Sequence, residues 1–237
     1  MERIPRIAYY IWIGDKPKPK IFEKCHNSWI KYLKNFEIKE LNEDNVDLKK
    51  YMENKFFRQC YEKGLYAYCS DYIRADVLYK TGGVYLDIDM QLLRPIDDLL
   101  TYDFFIGYES DKYLGVGLYG ASKNSIILKD LLEFYSKKIY EESLWTIPKI
   151  LTHIIREKGY FNLENTKYLE ERLFYPFSLN EEFSKDCIKE DTYAIHWWNA
   201  SWSNLKSKLF LETKHLHGIK KFLKKIKIIL RVYLKGY

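Results

Sequence analysis

The chain has 237 residues, 47% hydrophobic and 30% charged, which suffices for a buried core and is too apolar for a disordered polymer. Its formal charge of +6 is concentrated in the tail. Eight Lys and Arg residues and no acid lie between Thr213 and Tyr237, leaving the rest of the chain at −2. A slightly acidic body argues against a nucleic-acid-binding core, and no apolar run approaches the roughly 20 residues of a spanning helix.

Taken in chain order, Arg6 to Gly14 reads as a strand closed by a Gly-Asp-Lys-Pro turn, a first strand rather than a signal peptide. Ile21 to Leu33 has helical spacing in Phe22, Cys25, Trp29 and Leu33. Phe36 to Leu41 reads as a second strand and Asn42 to Tyr61 as a polar helical region. Tyr66 to Lys80 is a stronger helix stopped at Gly82-Gly83, and Val84 to Ile88 a buried strand. Further on, Phe104 to Tyr108, Gly115 to Ala121 and Tyr193 to Trp198 read as strands, Ser125 to Glu141 and Trp145 to Lys158 as helices. Strands alternating with helices predict an α/β fold with a largely parallel sheet. The four cysteines, Cys25, Cys60, Cys69 and Cys187, show no metal-site spacing and read as small hydrophobes of a reduced, intracellular protein.

The chemistry concentrates between Ser70 and Asp89. If the chain is still extended through Asp87-Ile88-Asp89, a period of two puts both carboxylates on one side. Two carboxylates suit a hard divalent cation such as Mg²⁺ or Mn²⁺. Asp71 and Arg74 share a helical face. They form either a surface ion pair, worth roughly 0.2–0.5 kcal/mol, or a site in which Asp71 takes sugar hydroxyls and Arg74 offers a fork of donors.

The whole string, Ser70-Asp71-x-x-Arg74-x-x-x-Leu78-x-x-x-Gly82-Gly83-x-Tyr85-x-Asp87-x-Asp89, resembles the signature of glycosyltransferase family 32. That family includes mannosyltransferases and many bacterial capsular-polysaccharide transferases, and is similar to the glucosyltransferase domain of large clostridial toxins. Ile4-Pro5-Arg6-Ile7 and Ile11-Trp12-Ile13-Gly14 match its usual opening. The resemblance covers about residues 1–120, with an echo in His196-Trp197-Trp198-Asn199-Ala200-Ser201-Trp202.

It implies a GT-A fold over residues 1–212 and a metal-dependent, retaining transferase. Such an enzyme moves a hexose or N-acetylhexosamine from a nucleotide sugar, a UDP-sugar above all, to a glycan or lipid-linked oligosaccharide. Capsular or other surface-glycan synthesis is the implied setting. Asp87 would touch ribose and metal, Asp89 would ligate the metal directly, and His196 is the candidate third ligand. Asp71 and Arg74 would hold the transferred sugar. Trp12 would stack on the base, unless it is a core aromatic of strand one, and Tyr85 would support that pocket. Ser201 and Trp202 would approach the diphosphate. One departure is Val116, where the family often has Asn.

Two other readings use the same residues. In a phosphatase or phosphotransferase Asp87 would be the nucleophile and Asp89 the acid/base, and a non-catalytic sugar-binding module would bind without turnover. In the tail, Leu216, Ile219, Leu223, Ile226, Leu230 and Tyr233 recur at helical spacing among lysines. Residues 213–237 therefore read as a basic amphipathic helix for an anionic membrane, placing the protein in the cytoplasm on the inner face of the plasma membrane. The contrary expectation is a helix packed on the body with its lysines in water.

Overall fold

The fold is that of a computed structural model, which describes residues 2–199 and 205–235. Strand β1 (Ile7–Ile11) leads through helix α1 (Ile21–Tyr32) to β2 (Glu37–Leu41). The polar stretch predicted as one helical region is two short helices, α2 (Leu48–Glu53) and α3 (Lys55–Glu62). They are separate because Asp47 and Asn54 each cap a helix start, accepting from the Lys50 and Phe57 amides. Helix α4 (Tyr66–Thr81) precedes β3 (Gly83–Leu86), and Gly82 between them has φ +70°. A Cβ there would stand 2.8 Å from the Pro5 ring and 2.9 Å from the Lys123 amide nitrogen, so the turn requires glycine.

Next come β4 (Met90–Leu92), β5 (Phe104–Tyr108), β6 (Leu114–Ala121), α5 (Ile126–Glu133) and α6 (Ile147–Glu157). The chain closes with β7 (Thr166–Leu169), α7 (Glu171–Phe174), β8 (Ala194–His196), α8 (Leu205–Leu211) and α9 (Gly218–Lys235). Six strands form one sheet in the order β2-β1-β3-β6-β5-β7. All run parallel except β6, which is antiparallel to both its neighbours. The other two, β4 and β8, make a separate antiparallel ribbon.

Side chains alternate across the sheet into two cores, as the strand period demands. Tyr9, Tyr85, Ile106 and Tyr119 enter one core with α3 to α6, while Tyr10, Val84, Phe105 and Leu118 enter the other with α1 and the ribbon. Trp29 of α1 is fully buried in the second core and donates from Nε1 to the Met90 carbonyl at 2.7 Å. Leu92 donates its amide to Ser28 Oγ. Helix α1 thus fixes the chain just beyond Asp89.

Cys25, Cys60 and Cys69 are buried free thiols, but Cys187 is only partly buried, on a 3-10 turn outside both cores. Among the described residues no helix is long and apolar enough to cross a membrane.

Candidate active site

Parallel strands end together, so the carboxyl ends of β1, β3 and β5 share one edge of the sheet, where antiparallel β6 begins. Trp12, Asp87 and Glu109 follow those strands directly. The Asp87 amide donates to the Gly117 carbonyl at 2.7 Å, extending the β3–β6 ladder by one residue. Then the chain turns: Met90 donates its amide to the Asp87 carbonyl at 2.9 Å. The extended geometry expected through Asp87-Ile88-Asp89 therefore does not hold. A tight turn, rather than alternation, brings the two carboxylates together.

The third member arrives by strand register. Met90 pairs with His196 across β4 and β8, which sets the imidazole beside both aspartates. His196 Nε2 lies 3.2 Å from Asp89 Oδ1 and 4.0 Å from Asp87 Oδ2. One ligand atom from each of the three residues can be chosen so that all lie within 4.8 Å of one another. The late segment also clasps Asp89 through its backbone, Asn199 donating its amide to Oδ2 at 2.7 Å and Trp197 to the carbonyl at 3.0 Å. Burial alone would raise the Asp89 carboxyl, but the His196 charge and the Asn199 amide hold it below the usual carboxylate range. His196 is raised in turn: burial would lower it, and Asp89, then Asp87, outweigh that.

Helix α4 supplies the opposite wall. Asp71 and Arg74 are 7% and 6% exposed, so the surface ion pair considered from sequence is a buried one. Arg74 lies 3.1 Å from Asp71, 3.2 Å from Asp87, and donates to the Val116 carbonyl at 3.1 Å. Its guanidinium also sits 4.1 Å over the Tyr85 ring. Tyr85 donates its hydroxyl to Asp87 Oδ1 at 2.7 Å, so it braces both the cation and the carboxylate. Burial pushes Asp71 up to about 7, Arg74 opposing and Asp87 adding to the rise. At position 116, where family 32 often has Asn, the Val116 side chain joins the first core and its carbonyl serves Arg74.

Trp12 belongs to neither core. It is partly exposed just past β1, its Nε1 donating to the Lys16 carbonyl at 2.7 Å, so the core reading of this ring is set aside. Ser201 and Trp202 lie outside the described residues.

Two participants escaped the sequence reading. Glu109 is partly buried at the shared edge, and burial lifts it to about 7, with His196 opposing and Asp87 reinforcing. Its place directly after an apolar strand was the available signal. Tyr175 stands edge-on to His196 with centroids 5.6 Å apart, and its hydroxyl accepts from the Gly117 amide at 2.9 Å. A Cβ on Gly115 would stand 2.4 Å from this ring, so glycine there makes room for the aromatic wall behind His196.

Residues 19–106 match the family described as a glycosyltransferase sugar-binding region containing a DXD motif. An uncharacterized glycosyltransferase of Acanthamoeba polyphaga mimivirus is 27% identical over 229 residues, covering 90% of each chain. The human alpha-1,4-N-acetylglucosaminyltransferase is 24% identical over 147 residues, 55% of this chain and 42% of that protein. Among solved structures, the PaToxG glycosyltransferase superposes with a TM-score of 0.53 at 17% identity, over 66% of this chain and 70% of the other. A glycosyltransferase involved in glycosylation of the major capsid of PBCV-1 gives 0.50 at 11% identity, over 84% and 95%. These structural likenesses carry the fold, which is GT-A. The matched family region and both sequence relatives are described as glycosyltransferases. Over residues 19–106 the chain is thus similar to glycosyltransferases that carry a DXD motif.

Proposed function

We propose that this chain is a metal-dependent, retaining glycosyltransferase that moves a hexose or N-acetylhexosamine from a nucleotide sugar, in the first place a UDP-sugar, to a glycan or lipid-linked acceptor. The observation that carries this reading is the convergence of Asp87 and Asp89, in the turn between β3 and β4, with His196 of β8, 107 residues beyond Asp89, opposite a buried Asp71–Arg74 pair. Two carboxylates and an imidazole, all within 4.8 Å, fit a divalent cation of the Mn²⁺ or Mg²⁺ kind. Such an ion, held by these three residues, would neutralise charge on the departing nucleoside diphosphate.

The chain's own groups do the rest. Arg74, pinned by two carboxylates, the Val116 carbonyl and the Tyr85 ring, presents donors in a fixed direction and costs no reorganisation when sugar or phosphate oxygens arrive. Asp71 accepts from sugar hydroxyls. Trp12 offers a partly exposed ring for the base at the carboxyl edge of β1, where open α/β sheets bind nucleotides. Ser201 and Trp202 are proposed for the diphosphate on sequence grounds alone.

The name of the human relative makes N-acetylglucosamine the first sugar to test. Surface-glycan synthesis at the cytoplasmic face of an anionic membrane is the setting we assign, supported by the outward apolar face and many lysines of α9. The test is a screen of UDP-GlcNAc, UDP-GalNAc, UDP-Gal, UDP-Glc and GDP-mannose for donor hydrolysis, with EDTA and Asp89→Ala controls. One donor is expected to be turned over, with activity lost in EDTA and reduced about 100- to 1,000-fold in the variant, the range for a group acting on developing charge. Full activity in either control sinks the metal reading.

A further inference from the structure

Away from the sheet edge, two adjoining cavities of about 510 and 270 Å³ lie between α3 and the tail helices, sharing Lys63, Phe210 and Lys221 in their walls. Lys225 completes the charge of the larger, and Lys55, Lys214 and His217 that of the smaller. Neither wall contains an acid. Among the described residues none of these lysines makes an ion pair. Lys63 rests 5.1 Å over the Phe210 ring and Lys55 4.8 Å over Tyr140. Lys214 is 3% exposed and donates to the Glu142 and Leu144 carbonyls, at 2.7 and 2.6 Å, and the Glu142 charge acts on it from outside the wall.

Glu212, two residues before Lys214, is engaged on the adjoining side of α9 with Lys224 and Arg231. Helix α9 also begins here: His217 precedes its first residue and Lys221 lies one turn in, so the positive end of an 18-residue helix meets the smaller cavity. Concave space, clustered cations with no acid in the walls and a helix N-terminus are three separate features that favour the same ligand.

We infer that these cavities form a second anion site, separate from the metal-binding residues, which takes a phosphate or diphosphate group. The group belongs either to a soluble phosphate compound or to a phosphorylated lipid held against α9. Rings beside lysines suit this role, because they carry the charge without neutralising it as a carboxylate would.

Titration calorimetry of the full chain with inorganic pyrophosphate in EDTA, which silences metal-assisted binding at Asp87 and Asp89, tests the soluble source. Flotation with phosphatidylcholine vesicles tests the lipid source, comparing phosphatidic acid with phosphatidylserine at matched surface charge. Lys63→Gln/Lys221→Gln and, separately, Lys225→Gln serve as variants, with melting temperature as the check on folding. Pyrophosphate binding that falls tenfold or more in the double variant supports the site with a soluble ligand. A preference for phosphatidic acid that disappears in the same variant supports it with a lipid ligand. Unchanged binding in folded variants, or binding of neither probe by the parent chain, overturns it. Donor hydrolysis is expected to be unaffected by these substitutions, so failure here is distinguishable from failure of the transferase reading.

Discussion

At the carboxyl edge of the sheet, charge is buried: Asp71, Arg74 and Asp89 are each 7% exposed or less. On α9 the inversion is the other way, since Ile219, Phe222, Leu230, Tyr233 and Leu234 are all more than half exposed. At 100° per residue these side chains share one side of the helix, and Lys221, Lys225 and the buried Ile228 the other. The tail thus meets the body through its basic face, the opposite of a helix docked by its apolar stripe. Both regions depart from the rule that apolar groups go inside, and they differ in what holds the departure in place. At the edge Asp71, Arg74 and Asp89 have fixed partners. On the tail nothing described covers the apolar side.

That contrast can be broken by mutation, the largest effect being expected at the edge. Arg74→Met leaves Asp71 and Asp87 facing each other without their cation. Removing one partner of a buried pair costs about 3–5 kcal/mol, to be read as a lower urea midpoint. Arg74→Lys, which keeps charge but loses the planar fork, is expected to restore much of the stability and little of the donor turnover. A midpoint unchanged in Arg74→Met would mean that the pair is not buried in solution. Next in size is Gly115→Ala, whose Cβ meets Tyr175 at 2.4 Å. Overpacking of this kind costs about 1–3 kcal/mol, and metal affinity should weaken with it as the ring behind His196 moves. Wild-type stability and metal affinity in this variant would show that the Tyr175 wall has slack.

Smaller still in stability, and decisive for the other half of the contrast, is Ile219→Ser/Leu230→Ser. Neither side chain is buried, so the change in unfolding free energy should stay within about 0.5 kcal/mol. Sedimentation with anionic vesicles should nevertheless fall sharply, because the lysines alone supply only about 1 kcal/mol each near the surface, and only where they reach it. Equal vesicle binding by the parent and variant chains would remove the membrane role proposed for the apolar face.

How legible was all this in the sequence? The α/β alternation, α1, α4 and strands β1, β2, β5 and β6 could be read because each is a local pattern ended by local signals. The motif from Ser70 to Asp89 was legible for the same reason. Strands β4 and β7 were missed: three and four residues carry no period, and β4 is a strand only because β8, a hundred residues on, pairs with it. His196 could be suspected as a ligand, but its approach to Asp89 depends on the Met90–His196 register, which no local pattern encodes. Spacing could place Asp71 and Arg74 on one face but could not tell a surface pair from a buried one. That depended on β6 covering α4 and offering the Val116 carbonyl.

A further effect concerns the joint between the two regions. Lys214 ties the start of the tail to the Glu142 and Leu144 carbonyls, and burial lowers its ammonium from the ordinary 10.5 to about 8. Above 10.5 it is neutral folded or unfolded, and below 8 it is charged in both, the fold then bearing the full cost of a buried charge. Between those limits the unfolded chain holds a proton that the folded chain has released, so this residue makes stability rise with pH. Urea unfolding of the parent chain and Lys214→Met at pH 8.0 and 9.5 isolates the term, because the other titrating groups cancel in the difference. The parent should gain on the variant as pH rises. A difference that stays flat would mean that water reaches the ammonium, and that the tail is joined to the body more loosely than these two hydrogen bonds imply.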